Sequence, residues 1–503
     1  MPFSRGHVIG HDGYVTVMGE NMLSVQELKK EANFIAGSWI NADNGEVLEV
    51  TNKATGDVIG TIPKVGALET RRAIDAAHSA FSTFSKLTAA ERAEMLHKMA
   101  SLVRENADDL AHLLTLEQGK PLAEAKGEVM IGAAYIQWYA EEARRLYGEM
   151  IPSPWSDRRI LVAREPVGVF AAITPWNFPF SMIARKMGAG LAVGCTCVIK
   201  PSEFTPYTGL VWGVLAKEAG IPDGVVNIVT GDPAAIGEEM TSHPDVRKIT
   251  FTGSTRVGKM LAERAGKAMK RYSMELGGNA PFLVFDDADL DAAVEGALAA
   301  KYRNAGQTCV CTNRFYIQAG IYDEFAERLA AKVAQLKVAD GFTPGAAQGP
   351  LINQNALAKV EAHVADALKK GGTLMTGGSP HELGGTFYQP TVIRDGHQEM
   401  TIAHEETFGP LAVLIKFETE DEVVRFANNT EYGLAAYFYT KDLGRTFRVS
   451  SALEYGMIGV NAGIITTEVA PFGGVKDSGQ GREGARHGLD DYVNIKYLSI
   501  AGI

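Results

Sequence analysis

Hydrophobic positions follow two different rhythms along this chain, and the change comes near residue 167. From Glu69 to about Tyr147 apolar residues recur at helical spacing. Thr88-Ala-Ala-Glu91 is a capping box, and the Leu, Met and Ala positions after it predict one long amphipathic helix. Gly119-Lys-Pro121 breaks that helix, and a second is predicted over Ala123–Tyr147. Short continuous apolar runs then alternate with helical stretches. Strands are predicted at Val167–Ile173, Thr196–Ile199, Val225–Val229 and Arg247–Phe251, with helices at Ser181–Val193, Thr208–Ala219, Ala234–Met240 and Val257–Met269. This alternation predicts a mostly parallel sheet covered on both faces, of the kind that binds ligands beyond the carboxyl ends of its strands.

The rhythm restarts after Glu275, with a strand at Pro281–Phe285, a helix at Leu290–Asn304, a strand at Arg314–Gln318 and a helix at Tyr322–Leu336. These predict a second α/β domain. Gly341–Pro350 and Gly371–Gly385 read as surface connections within it. Tyr492–Ile500 alternates like a strand but has no partner nearby in sequence, so it pairs with a distant segment or with another subunit.

Composition narrows the possibilities. At 503 residues the chain exceeds one domain per roughly 150 residues several times over. Its 49 basic against 60 acidic residues give a net charge of −11, with no Lys/Arg-rich run, which argues against a nucleic-acid partner. Four Cys cannot form a disulfide framework and suit a reducing compartment. No apolar run approaches the ~20 residues of a membrane span. Residues 1–25 lack an apolar signal core and are too acidic and Arg-poor for a transit peptide, so they are read as a flexible leader of a cytoplasmic protein. His7 and His11, beside Asp12, are a conceivable metal pair there, although a solvated leader is the preferred reading.

Several motifs bear on chemistry. Gly253-Ser-Thr-Arg-Val-Gly258-Lys259 nearly spells a phosphate loop, but Met260 stands where magnesium binding requires Ser or Thr. What remains is a glycine-rich turn opening a helix, a good anion site. Gly188-Ala-Gly190-Leu-Ala-Val-Gly194 misses the dinucleotide fingerprint and reads as helix packing. The pairs Cys195/Cys197 and Cys309/Cys311 have the wrong spacing for zinc, so no metal is expected; the first pair reads as core. Cys309, in Gly306-Gln-Thr-Cys309, follows a helix in a polar loop, and is open to reading as a turn residue or as a nucleophile. Glu275 ends a strand between Met274 and Leu276, a position that buries a carboxyl and suits a general base. Asn177, in Pro175-Trp-Asn-Phe-Pro179, is either a turn former or an oxyanion donor. Lys200 and Glu203 close the next strand as surface charges or as ribose ligands.

Together these segments resemble the aldehyde dehydrogenase family. Pro175–Pro179, Lys200–Glu203, Phe251–Ser254, Glu275–Gly278, Gly306–Cys309, Glu406–Pro410 and Pro471–Gly474 occur in the family's order and spacing, over about residues 30 to 503. The resemblance implies a Rossmann-type cofactor domain (26–147 and 167–277), an α/β catalytic domain (278–487), and a small β-extension for oligomerisation (148–166 and 488–503), in a dimer or tetramer. It implies Cys309 as nucleophile, Glu275 as base and Asn177 as oxyanion donor together with the Cys309 N–H. Lys200 and Glu203 would meet the adenosine ribose, Gly253 and Ser254 the pyrophosphate, and Glu406 and Phe408 the nicotinamide end. Thr174, Trp176, Ser202, Val257 and Leu276 complete the implied cofactor site. Glu483 resembles a second glutamate used in proton relay.

Gly306–Arg314, with Arg303 six residues before Cys309, and Gly463–Thr466 before Ala470–Gly474 resemble the succinate-semialdehyde dehydrogenase branch. That branch holds its substrate's distal carboxylate with residues that match Arg185, Arg303 and Thr466, although Thr466 stands where Ser is usual. Guanidinium forks bind carboxylates bidentately. The implied reaction is oxidation of succinate semialdehyde, with glutarate semialdehyde or another ω-carboxy aldehyde as runner-up and a nucleotide-binding ATPase as the reading from a different class. Glu203 favours NAD as cofactor, with NADP tolerated through Lys200. Cys311, two residues from the nucleophile on a loop read as able to flex, is a candidate redox partner for Cys309; burial in the core is the competing reading.

Overall fold

A computed structural model describes residues 24–502. Residues 1–23 of the predicted leader, with His7 and His11, lie outside the described residues, while Ser24 caps the short helix Val25–Leu28. In the eight-stranded sheet the spatial order is Gly479–Gln480, Arg271–Glu275, Val246–Thr252, Val169–Ile173, Thr196–Lys200, Val226–Ile228, Asn33–Ile35 and Ser38–Ile40. The five strands from Arg271–Glu275 to Val226–Ile228 run parallel. They are largely buried, which is why Val169–Ile173 reads as a continuous apolar run, whereas Val246–Thr252 and Arg271–Glu275 carry exposed charged residues near their starts. Helices Pro179–Val193, Pro206–Glu218, Pro233–Ser242 and Thr255–Lys267 make the crossovers.

Chain order runs outward from Val169–Ile173 in one direction, then returns to place Val246–Thr252 on its other side. The sheet therefore has a switch point between these two strands, where a crevice opens at their carboxyl ends. Trp176 and Asn177 follow one strand, and Gly253 and Ser254 follow the other.

A seven-stranded sheet has the order Thr373–Thr376, Thr391–Gly396, Leu411–Phe417, Thr312–Gln318, Ala280–Val284, Ala435–Tyr439 and Met457–Val460, parallel except for its first strand. The tail strand Val493–Ala501 finds its partner in a distant segment of its own chain, pairing antiparallel with Arg158–Pro166 beside Glu149–Ile151.

Several expectations need correction. The helix after Thr88 is two, Ala89–Glu105 and Ala107–Gln118, interrupted at Asn106, whose side chain donates to the Leu102 carbonyl at 2.7 Å. The helix from Leu290 stops at Lys301 and gives way to a 3-10 turn, so Arg303 and Asn304 lie on that turn. Gly371–Gly385 contains the strand Thr373–Thr376. Gly341 and Gly349 are buried, each so close to the Gly119–Lys120 backbone that a Cβ would lie within 2.4 Å of a carbonyl oxygen. No helix among the described residues is long and apolar enough to cross a membrane.

Candidate active site

Cys309 sits on a turn whose backbone is unusual. Asn304, Ala305 and Gly306 all take positive φ, at 51°, 56° and 72°. A Cβ on Gly306 would lie 2.2 Å from the Gly409 carbonyl. Buried Gln307 braces the turn, donating to the Asn304 carbonyl at 3.1 Å and accepting from the Ile352 N–H at 2.9 Å. Strained turns of this kind persist where surrounding contacts fix them.

Beside Cys309 is a cavity of about 240 Å³ lined by Phe178, Arg185, Arg303, Ile464, Thr466 and Phe472, with Glu124 and Glu128 at its wall. Arg185 is buried between the rings of Tyr135 and Phe472, at 4.7 and 4.6 Å. Its Nε and Nη1, and the Nε of Arg303, have no hydrogen-bond partner. Arg185 is buried and Arg303 half-buried, and their buried, unpartnered donors suit an anion in the cavity.

Asn177 is buried, and its Nδ2 donates to the Gln307 carbonyl at 3.1 Å, linking the sheet crevice to the Cys309 turn. Glu275 ends its strand with both carboxyl oxygens buried and unpartnered. Burial, then the neighbouring Glu483, push its pKa well above the ordinary carboxylate range, against the pull of Lys186, Arg482 and Arg185. Gly473, at φ 155°, approaches so closely that a Cβ would stand 2.9 Å from the Glu275 Oε1. Glu483 forms a buried ion pair with Lys186, which also donates to the Thr252 hydroxyl at 2.7 Å, and lies 4.0 Å from Arg185. Burial pushes the Cys309 thiol up to about 12, and Arg185 is the strongest opposing influence.

The crevice suits a dinucleotide. Lys200 is buried and pairs with Glu203 at 2.8 Å; against the cost of burial, Lys200 holds the Glu203 carboxyl below its usual range. Ser254 precedes the helix Thr255–Lys267 without capping it, and the buried Thr174 and Thr255 hydroxyls are unpartnered. Thr255 opens that helix, so its hydroxyl is an open donor at a helix N-terminus, as a pyrophosphate requires, while Thr174 lies at the neighbouring strand end. Gly258 admits the side chain of Leu276, where a Cβ would be 2.2 Å away, while Val257 is half-buried beside it. Trp176 packs edge-on against Phe408, and Ser202 is buried at the strand end. Burial pushes Glu406 up to about 7, although the Gly278 N–H donates to it at 3.0 Å.

Other motifs settle outside the cavity. Lys259 is exposed and paired with Asp477, so the near-match to a phosphate loop is a helix surface. Gly190 accommodates Phe170, and Cys195 and Cys197 are core. Cys311 does not sit on a free loop: its buried thiol contacts the Lys301 ammonium at 3.4 Å, away from the cavity. Pairing with Cys309 would require it to leave that contact. Among the described residues, Asp75, His243 and Asp245 could together approach a metal ion, but none lines the cavity. Sequence reasoning missed Lys186, Lys120, Glu124 and Glu128. The available signal was a charged residue inside an otherwise apolar helix, as Lys186 is.

The model of the aldehyde dehydrogenase family matches residues 39–498. A succinate-semialdehyde dehydrogenase [NADP(+)] of Escherichia coli is 56% identical over 478 residues, covering 95% of this chain and 99% of its own. A glutarate-semialdehyde dehydrogenase of Pseudomonas aeruginosa is 54% identical over 477 residues, covering 95% and 99%. The crystal structure of succinate-semialdehyde dehydrogenase from Burkholderia pseudomallei superimposes with a TM-score of 0.94 at 57% identity, covering 94% of this chain and 98% of that one. With seven motifs, the two-sheet fold and near-complete coverage in agreement, this chain belongs to the aldehyde dehydrogenase family.

Proposed function

We propose that this enzyme oxidises succinate semialdehyde to succinate, using NAD in preference to NADP. The observation that carries the substrate class is the pair Arg185 and Arg303, with unpartnered donors, in the cavity beside Cys309 and Thr466. An aldehyde with a distal carboxylate satisfies both ends of that cavity. Glutarate semialdehyde is the second reading, supported by the name of the Pseudomonas aeruginosa relative.

Cys309, half-buried at the cavity, gives its thiol proton to solvent with Arg185 favouring the thiolate; the sulfur adds to the aldehyde carbonyl, and the oxyanion accepts hydrogen bonds from the Asn177 Nδ2 and the Cys309 N–H. A nicotinamide held beside Glu406 and Phe408 would accept the hydride that this adduct must lose to become the Cys309 thioester. Glu275 then takes a proton from water, whose oxygen attacks the Cys309 thioester and releases the carboxylic acid. Its raised pKa makes it a stronger base than an exposed carboxylate. Glu483, held by Lys186 and close enough to Glu275 to raise its pKa, receives the proton in turn on this reading. Glu203 accepts from the ribose 2′-hydroxyl and disfavours a 2′-phosphate, which Lys200 partly offsets.

The domain limits implied by the sequence belong to the same proposal. Residues 26–147 and 167–277 hold the cofactor, 278–487 carry Cys309, and 148–166 with 488–503 join subunits. Exposed Met150, Ile495 and Tyr497 (73%, 71% and 59%) on the three-stranded sheet support subunit contact there. The test is kcat/KM with NAD across succinate semialdehyde, glutarate semialdehyde and butanal, followed at the absorbance of the reduced nicotinamide. The highest value for succinate semialdehyde supports the proposal, and a highest value for butanal overturns it.

A further inference from the structure

Lys120 has no part in the chemistry described above, yet its ammonium is sealed in the interior beside Asn177. It lies in the Gly119-Lys-Pro121 break between two helices, and its side chain is 0% exposed, as Glu128's is 1%. The Lys120 Nζ donates to Glu128 Oε2 at 2.6 Å and to the Asn177 main-chain carbonyl at 2.7 Å. It also lies 4.1 Å from the centre of the Phe178 ring. The other oxygen of Glu128 accepts from the N–H groups of Phe180 and Ser181, at 2.9 and 3.1 Å, in the first turn of the helix Pro179–Val193. The same Asn177 carbonyl accepts from Asn304 Nδ2 at 3.0 Å, and Gln118 holds Asn304 by donating to its Oδ1 at 3.1 Å.

A buried ion pair is a poor source of net stability, since apolar side chains of equal volume generally serve as well. What this pair does supply is direction. Residues 175 to 177 lie between the last ladder bond, from the Thr174 N–H to the Lys200 carbonyl, and the first helical one, to the Phe178 carbonyl, where no ladder fixes the peptide planes. An oxyanion donor works only if it is aimed before the charge develops. Here the Asn177 carbonyl is held by two donors, the following helix turn is held by Glu128, and the side-chain amide is held by the Gln307 carbonyl. These restraints leave the second hydrogen of the amide with a fixed direction.

We infer that Lys120 is a positioning residue for the oxyanion amide of Asn177, clamping its main-chain carbonyl while Glu128 fixes the helix that follows. The inference rests on the proposed role of Asn177. Lys120→Met alone leaves Glu128 buried without its cation, so the paired variant Lys120→Met/Glu128→Gln is the cleaner probe. It removes both charges and keeps an acceptor for Phe180 and Ser181.

The experiment is single-turnover stopped flow of the full-length enzyme with NAD and succinate semialdehyde, enzyme in excess. The same preparations are titrated with NAD, and the Cys309 thiol is alkylated with iodoacetamide. The paired variant should acylate roughly tenfold more slowly, short of the ~100-fold or more lost when an oxyanion donor is removed outright. Cofactor affinity and alkylation rate should stay at wild-type values. A merely structural role would lower the fraction of competent enzyme or the melting temperature and leave the acylation rate constant unchanged, and that result would overturn the inference. Asn177→Ala, measured alongside, separates the two ideas. Unimpaired acylation in Asn177→Ala removes the parent reading, whereas slow acylation there with normal acylation in the paired variant removes only the role of Lys120.

Discussion

The side-chain amide of Asn177 donates to the backbone carbonyl of Gln307 at 3.1 Å, joining the crevice of the eight-stranded sheet to the turn that carries Cys309. The two residues are 130 positions apart, and this bond, with that from the Asn304 Nδ2 to the Asn177 carbonyl, ties the sheet crevice to the turn of the thiol. Asn177→Ala should lower kcat by about 100-fold or more, the usual loss on removing an oxyanion donor, with NAD affinity unchanged. Steady-state kinetics beside a cofactor titration check this.

Glu275 is pushed well above the carboxylate range by burial and by Glu483, and the proposed mechanism uses it as the ionised base. That form is lost as pH falls through the raised pKa, so kcat should decline on the acid side at a pH well above the ordinary Glu value of about 4.3. Glu275→Gln should remove this limb and leave very slow turnover after a rapid first release of reduced cofactor. An unshifted acid limb in the kcat profile of the wild type would contradict the assignment.

Arg303 and Arg185 should separate kinetically. Arg303→Ala should raise KM for succinate semialdehyde about tenfold or more, since a charged hydrogen bond is worth ~1.5–3 kcal/mol and ~1.4 kcal/mol is a factor of ten. Butanal should be affected much less. Arg185 also lies 4.0 Å from Glu483 and opposes the rise in the Cys309 pKa, so Arg185→Ala should lower kcat as well. Equal losses on both aldehydes in Arg303→Ala would make that arginine structural.

Much of this arrangement is legible in the sequence, for physical reasons that also explain the gaps. Buried parallel strands such as Thr196–Lys200 leave continuous apolar runs, and the motifs after them lie at the switch point because chain order dictates it. Strands such as Val47–Thr51 are short and only half-buried, so their pattern is weak. Lys120, Glu128 and Lys186 are charged residues within helical or turn segments, where the ordinary expectation is solvent, and only the tertiary fold reveals that all three are buried. The turn of Cys311 toward Lys301 is likewise invisible in the spacing of two cysteines.

In the proposed ribose site, cofactor choice turns on Glu203. Glu203→Ser should improve kcat/KM with NADP relative to NAD, because it removes a carboxylate facing the site of the 2′-phosphate and frees Lys200, now paired at 2.8 Å. Wild-type enzyme that already prefers NADP would contradict this reading of the ribose site.

The most direct test of the whole account is intact-mass and peptide-mass analysis of Glu275→Gln, quenched soon after mixing with NAD and succinate semialdehyde. With the water-activating base removed, the Cys309 thioester should accumulate. The account predicts one added succinyl group per chain, carried by the peptide containing Cys309 and absent when NAD is omitted. Rapid formation of reduced cofactor with no acyl group on Cys309, or with the group on another residue, would contradict it.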